Sequence, residues 1–174
     1  TDNFNPKTMT VTLSESTYDS NSVSAVAVSA HEIGHVVQRE HGYLFYRLRG
    51  ALVPITNFGT MLAFPLVIIG VLITWIASVT EIGNIIVFIG VCLYGLSTLF
   101  SLVTLPVELN ASARAKRMLA ETGILVTKEE QKAASKVLSA AAMTYFAALL
   151  TSLLMFLRFL LYVFILLGGR RRND

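Results

Sequence analysis

Three long apolar stretches constrain the fold of this chain more than any other feature of its sequence. They cover residues 61–79, 85–105 and 137–167, and each is close to or longer than the roughly 18 to 20 residues that a helix needs to cross a bilayer. Hydrophobic residues make up 54% of the chain and charged residues only 14%, with a mean hydropathy of +0.64, which is too apolar for an ordinary soluble domain. The sequence therefore predicts an all-α integral membrane protein with about three transmembrane helices, a multi-pass protein of the cell membrane.

The three stretches differ in their interruptions. The first two contain no charged residue, and residues 80–84 between them are long enough only for the turn of a helical hairpin. Arg158 interrupts the third stretch, which as one helix would be roughly 45 Å long. We expect either one long tilted helix or a helix with a break. An intramembrane arginine is a functional candidate, but snorkelling or structural pairing is its commoner role.

Charge and cysteine content exclude two further classes of protein. The net charge is +3 and the sequence pI is near 9.2, yet the basic residues flank the apolar stretches and do not alternate with aromatic residues. This pattern indicates membrane orientation and no nucleic-acid partner. Cys92 is the single cysteine, so no internal disulfide is possible. Because the chain opens with Thr1 and no signal peptide precedes its polar N-terminal segment, we expect a fragment or a processed form.

Shorter elements are predicted on either side of the first two spans. A short N-terminal β segment is predicted at residues 10–14. An Ala- and Val-rich helix is predicted from about Ser22 to near Gly42, with Ser20, Asn21 or Ser22 as its cap, and a connection over residues 42–58 follows. Pro106 marks the start of a predicted helix that ends at Gly123. Thr127 and Glu130 form a capping box for a helix that could run directly into the third stretch.

The motif with the clearest chemical meaning lies on the first of these helices. His31, Glu32 and His35 fit the pattern H-E-x-x-H. Residues i and i+4 stand above one another on a helix, so the two imidazoles can occupy two corners of a tetrahedral zinc site. Zinc activates water, and Glu32 beside that face can act as its general base. The alternative to a zinc site is a polar surface patch in which these three side chains share a helix face and bind no metal.

Two residues compete for the place of the third metal ligand. His41 has the spacing of a longer zinc motif, but Gln38 replaces the glycine that turns the chain back to the metal, and on a continuing helix His41 would point away. Glu108 is preferred, because a carboxylate at a membrane boundary needs a partner and a His/His/Glu set leaves one zinc position free. Two spans separate it from the histidines, so all three return to one membrane side. Ser112, one turn later, could hydrogen-bond a ligand or merely pack between helices.

These residues resemble a known family. The chain is similar to the YugP-like family of membrane zinc metallopeptidases, neutral zinc metallopeptidases with H-E-x-x-H plus a downstream glutamate. The resemblance extends over nearly the whole chain and rests on Ala30-His31-Glu32-Ile33-Gly34-His35-Val36-Val37-Gln38, Gly42-Tyr43, Arg49-Gly50-Ala51-Leu52-Val53-Pro54, Leu105-Pro106-Val107-Glu108-Leu109-Asn110-Ala111-Ser112 and Arg170-Arg171-Arg172-Asn173-Asp174.

The resemblance implies an integral membrane peptidase with Zn²⁺ held by His31, His35 and Glu108, and with Glu32 as base. The segment after Pro106 also resembles the E-x-x-A-D motif of membrane proteases that cut prenylated proteins, although Ser112 stands where that motif has aspartate. Members of the family usually have an additional N-terminal hydrophobic segment, so we expect this chain to be truncated. The resemblance names no substrate.

These expectations give four parts of the chain. They are the N-terminal part of a peptidase domain with the H-E-x-x-H helix (1–60), a transmembrane hairpin (61–105), a helical region that completes the site with Glu108 (106–136), and a C-terminal transmembrane segment with a basic tail (137–174).

Several functional hypotheses remain open at this point. The main one is a zinc-dependent endopeptidase that cuts peptide or membrane-protein substrates, with an extended substrate pairing beside the strand at 10–14 and Tyr43 or Tyr46 as oxyanion donor or interfacial anchor. An alternative is a non-catalytic protein in which zinc ties two helices together, and a weaker one is a transporter or scaffold centred on Arg158. The variant Glu32→Gln separates the first two hypotheses, because loss of cleavage with zinc retained would support catalysis.

Basic residues predict the orientation of the site. Ten lie on the side of the histidines, whereas the turn at 80–84 has none, so the positive-inside rule places the site on the cytoplasmic side. The arginines at 170–172 conflict with this unless the third stretch breaks near Arg158. The ten are Lys7, Arg39, Arg47, Arg49, Arg114, Lys116, Arg117, Lys128, Lys132 and Lys136.

Overall fold

The computed structural model describes residues 2–77 and 79–168, and these residues are mostly helical. A two-stranded sheet opens the chain and five helices follow. The strands are β1 (Asn3–Asn5) and β2 (Thr10–Thr12), and the helices are α1 (Glu15–Tyr18), α2 (Val23–Glu40), α3 (Leu44–Ile76), α4 (Thr80–Thr122) and α5 (Lys128–Gly168). This architecture confirms the predicted all-α class with a short N-terminal β segment.

Three helices are long and apolar enough to cross a membrane among the residues described. They are α3, α4 and α5, with 33, 43 and 41 residues. This count confirms the prediction from the three apolar stretches. Many of their large apolar side chains are exposed, including Ile76 at 78% and Phe164 at 74%, as expected for surfaces that face lipid.

The helices are longer than the sequence patterns predict. The predicted connection over residues 42–58 is wrong, because α3 begins at Leu44 and contains Pro54. The predicted helix start at Pro106 is also wrong, because α4 runs through that proline without interruption. Of the two alternatives for the third stretch, the structure shows one long helix, because α5 continues through Arg158 without a break. Neighbouring helices allow a membrane helix to tolerate proline, so proline is a poor boundary signal in such chains.

Local capping interactions mark the starts of α2 and α5. Ser22 caps α2 and accepts a hydrogen bond from the Ala25 backbone N–H at 3.2 Å. The capping box is also present, because the Glu130 backbone donates to Thr127 Oγ1 and the Thr127 backbone donates to the Glu130 carboxylate. The resulting helix runs directly into the third apolar stretch. The basic tail at 170–172 lies outside the described residues.

The described chain divides into two compact units. The first contains residues 2–49 and 103–147. Its apolar core joins small residues of α2 with residues of α4, of α5 and of the connection between these two helices, namely Ala27, Ala30, Ala115, Leu119, Leu125, Ala134 and Leu138. The strands β1 and β2 pair antiparallel with Phe4 opposite Val11. Only the second strand is predictable from the sequence. The three residues of β1 are too few to show the alternation of apolar and polar residues that identifies a strand.

The second unit contains residues 50–102 and 148–168. Glycine allows α3 and α4 to approach closely there, because a Cβ on Gly70 would lie 2.7 Å from the Gly83 carbonyl oxygen. Ser152 Oγ of α5 lies 3.1 Å from Thr98 Oγ1 of α4, within hydrogen-bonding distance. Arg158 is exposed and donates to Tyr162 Oη one turn later at 2.8 Å. This pairing within one helix agrees with a structural role for the arginine.

Candidate metal centre

The two histidines of the H-E-x-x-H motif lie on one face of α2. Their ring centroids are 4.8 Å apart and their planes are nearly perpendicular. The helix supplies this arrangement through its own geometry, since residues four apart are neighbours on its surface. His35 is buried and His31 is half-buried, so the pair is held with limited access to water.

Glu108 reaches the same point from α4. Its Oε2 atom lies 3.1 Å from His31 Nε2 and 3.5 Å from His35 Nε2, and the residue is only 1% exposed. The ligand atoms of these three residues all lie within 4.8 Å of one another. The structure therefore brings together the three residues that the sequence predicted as ligands, all of them within the first unit.

The donor set fits a zinc ion. Two imidazole nitrogens and one carboxylate oxygen are a combination found in catalytic zinc sites, where three protein ligands leave a fourth position free. The two nitrogens that face Glu108 are both Nε2 atoms, and the Nδ1 atoms on the far side of each ring have other partners. His31 Nδ1 lies 3.2 Å from Ser112 Oγ, and His35 Nδ1 lies 2.9 Å from Gln38 Oε1.

Glu108 has a different partner for each carboxylate oxygen. Arg49 donates from Nη1 to Glu108 Oε1 at 2.8 Å, while Oε2 faces the two imidazoles. The guanidinium compensates the charge of a nearly fully buried carboxylate, which would otherwise be costly. Oε2 is therefore the carboxylate oxygen that faces the candidate metal position.

Glu32 lies beside the ligand group and is not part of it. It is 8% exposed. Burial raises the pKa of its carboxyl, and the neighbouring imidazoles of His35 and His31 offset part of that rise. The nearby Phe4 backbone lowers the pKa of this carboxyl by a smaller amount. A carboxyl whose pKa lies above its ordinary value accepts a proton more readily, as a general base requires.

The pKa of His35 reflects both its burial and its contact with Glu108. Burial alone would lower this pKa, but the hydrogen bond and the negative charge of Glu108, together with Gln38, raise it above the ordinary value. The imidazole must lose its proton before it can bind a metal ion, so metal binding at this site is coupled to proton release.

Other residues considered from the sequence lie outside the ligand group. His41 is exposed at the C-terminal end of α2, and its Nδ1 lies 3.2 Å from Arg114 Nη1. The ring of Tyr46 lies 6.1 Å from that of His35, whereas Tyr43 contacts Phe45.

Sequence reasoning missed Gln38 and Arg49 as members of the site. Gln38 was considered only as a replacement for a glycine, although three residues after His35 it shares the metal-facing side of the helix. Arg49 was counted only as an orienting charge. Its contact with Glu108 joins residues 59 positions apart, and no local pattern signals such a pair.

Comparison with known proteins agrees with these observations. Residues 1–164 match the family model described as putative neutral zinc metallopeptidase. The chain is also 41% identical over 130 residues to a Bacillus subtilis (strain 168) protein named "Putative membrane protease YugP". That alignment covers 75% of this chain and 54% of the relative, so the chain spans about half the relative's length.

No solved structure matches the chain. The family match covers nearly the whole sequence and includes every residue of the candidate metal centre. The chain therefore belongs to the family of putative neutral zinc metallopeptidases.

Proposed function

We propose that this chain is a membrane-embedded, zinc-dependent endopeptidase in which His31, His35 and Glu108 hold the metal and Glu32 is the general base. The observation that carries the proposal is the convergence of three buried or half-buried ligand side chains within 4.8 Å, next to a buried carboxyl outside the set. The family match supports the same reaction class.

Each residue has a distinct task in the proposed reaction. A bound zinc ion supplies a Lewis acid that polarises the scissile carbonyl and lowers the pKa of the attacking water to about 7. Glu32 accepts the proton of the water as it attacks and delivers that proton to the leaving amine. Ser112 orients the His31 ring through Nδ1. Tyr46, whose ring lies 6.1 Å from that of His35, is the proposed donor of a hydrogen bond to the substrate oxygen.

The substrate proposed is an extended peptide segment of a soluble or membrane protein. The Phe4 backbone is close enough to the Glu32 carboxyl to lower its pKa, so β1 lies near the proposed base. A peptide added to an edge of this hairpin would gain main-chain hydrogen bonds independent of its side chains. β1, as well as the originally predicted strand at 10–14, is therefore a candidate edge.

The substitution Glu32→Gln tests the catalytic proposal. The amide keeps the size of the side chain but cannot accept the proton, so cleavage of a peptide library should fall by at least about 10²-fold while zinc content stays unchanged. A chelator should abolish cleavage by the unmodified protein, and added zinc should restore it. Stoichiometric zinc without cleavage by the unmodified protein on any peptide would favour the alternative, a metal that only ties α2 to α4.

A further inference from the structure

Gln38 is the most completely buried polar residue beside the metal centre. It is 0% exposed, and its side-chain amide makes three hydrogen-bonding contacts, two at Nε2 and one at Oε1. Nε2 donates to the Val107 carbonyl oxygen at 2.7 Å and to Asn110 Oδ1 at 3.0 Å. On the other side, Oε1 lies 2.9 Å from His35 Nδ1.

The contact with Val107 fixes the direction of this amide. A backbone carbonyl oxygen can only accept, so the NH₂ end of Gln38 must face α4. The carbonyl end must then face His35, and a carbonyl oxygen accepts only from a protonated nitrogen. His35 therefore carries a proton on Nδ1, and in the neutral ring Nε2 is left with the lone pair that a metal ion needs.

The second histidine lacks such a constraint. Its Nδ1 atom faces the hydroxyl of Ser112, and a hydroxyl can donate or accept, so this contact is compatible with either tautomer of His31. Gln38 therefore restricts His35 to one tautomer, whereas Ser112 does not restrict His31. Asn110 strengthens the arrangement, because it also accepts a hydrogen bond from Arg114 Nε at 2.8 Å.

We infer that Gln38 is a positioning residue for zinc: it selects the metal-binding tautomer of His35 and ties that ring to the turn of α4 that bears Glu108. The inference rests on the proposed ligand set. Gln38 lies on α2 and its two acceptors lie at positions 107 and 110, on either side of the third ligand. One side chain thus couples the ligands of two helices.

Zinc affinity of Gln38→Met is the first test, measured by chelator competition on the full chain in detergent. Methionine keeps the approximate volume and removes all three hydrogen bonds, so affinity should fall about 10- to 100-fold. Gln131→Met is the matched control, because Gln131 also donates from its amide to a backbone carbonyl, that of Leu125, at 3.1 Å. The zinc affinity of Gln131→Met should equal that of the unmodified protein. The inference would be overturned if all three proteins bound zinc equally well, or if both variants lost the same zinc affinity.

A spectroscopic measurement separates positioning from general stability. The chain has only three histidines, so ¹⁵N-histidine labelling gives few imidazole signals. In the zinc-loaded protein the His35 Nδ1–H proton should exchange slowly with water, and in Gln38→Met it should exchange fast. Unchanged slow exchange in that variant would contradict the inference.

The variant Gln38→Glu tests the role of Gln38 if Gln38→Met does not fold. It keeps an acceptor facing His35 and loses the donors to α4. It should therefore retain the slowly exchanging His35 proton, and where Gln38→Met folds it should bind zinc at least about tenfold more tightly than that variant. Loss of the proton signal in folded Gln38→Glu would contradict the inference. Absence of zinc from the unmodified protein would instead contradict the proposed function and remove this inference with it.

Discussion

The two oxygens of the Glu108 carboxylate have separate tasks, one toward Arg49 and one toward the imidazoles. Arg49 is 30% exposed at its side chain while Glu108 is 1% exposed, so the ion pair lies at the edge of a buried site. Because the arginine occupies Oε1, it favours binding of a metal ion through Oε2 alone. Its proposed contribution is to fix the ligand's orientation.

Arg49→Gln should therefore weaken zinc binding roughly tenfold, the lower end of what loss of a partner of a metal ligand costs. Arg47→Gln is the matched control, since Arg47 lies on the same helix and is exposed. Chelator competition measures both affinities. Equal zinc affinity of the two variants would show that Arg49 has no role in the site.

The proposed reactive residues follow from the sequence, whereas the residues that contact and support them do not. His31, Glu32 and His35 follow from one local motif on a helix. Glu108 followed from chemistry, because a carboxylate at a span boundary needs a partner. Gln38 and Arg49 were missed, since each makes its decisive contact with a residue far away in sequence, and a single sequence contains no record of such contacts.

At the scale of elements, the close approach of α2 and α4 makes the metal centre possible. Gly34 lies between Glu32 and His35, and a Cβ there would be 2.6 Å from the Ala111 carbonyl oxygen. That obstacle is backbone, which cannot move aside as the end of a side chain can. The glycine thus allows the histidines to reach the Glu108 carboxylate.

Gly34→Ala should push the two helices apart, reduce the free energy of unfolding by about 1–3 kcal/mol and impair zinc binding. Gly50→Ala is the control, because a Cβ on Gly50 meets nothing within 4 Å, and alanine in a helix is favoured over glycine by about 0.5–1 kcal/mol. Thermal unfolding in detergent and zinc titration measure the two effects. Normal zinc affinity in Gly34→Ala would contradict the described packing.

The types of the elements were predictable, and so were some of their boundaries. The three spans and the capping box at Thr127 follow from local chemistry, and Ser22 is the one of three candidate caps that caps α2. Pro54 and Pro106 misled the prediction, because proline excludes one hydrogen bond but the packing around a long apolar helix outweighs that loss. The continuity of α4 through Pro106 means that Glu108 lies within the same helix as the second apolar stretch.

For the whole molecule, the orientation in the membrane is a proposal that rests on the distribution of basic residues along the sequence. The basic residues near the metal centre favour the cytoplasmic side. The unbroken α5 removes the break that would have returned residues 170–172 to that side. The proposal therefore depends on the ten basic residues at positions 7–136 outweighing the three at the end.

Cysteine labelling tests this orientation in a Cys92→Ser background, which contains no other cysteine. With a membrane-impermeant maleimide, Glu81→Cys should be labelled in intact cells and Lys128→Cys only after the cells are opened. Both positions are exposed, so access within the fold is equal. The reverse labelling pattern would place the metal centre on the outer side.

The central claim for the molecule is that one zinc ion joins two imidazoles of α2 to a carboxylate of α4. Metal analysis of purified Glu108→Ala and His41→Ala tests it most directly, because these two residues were the competing candidates for the third ligand. The account predicts that Glu108→Ala loses nearly all of its zinc, whereas His41→Ala keeps one zinc ion per chain. Zinc retained in Glu108→Ala and lost in His41→Ala would contradict it.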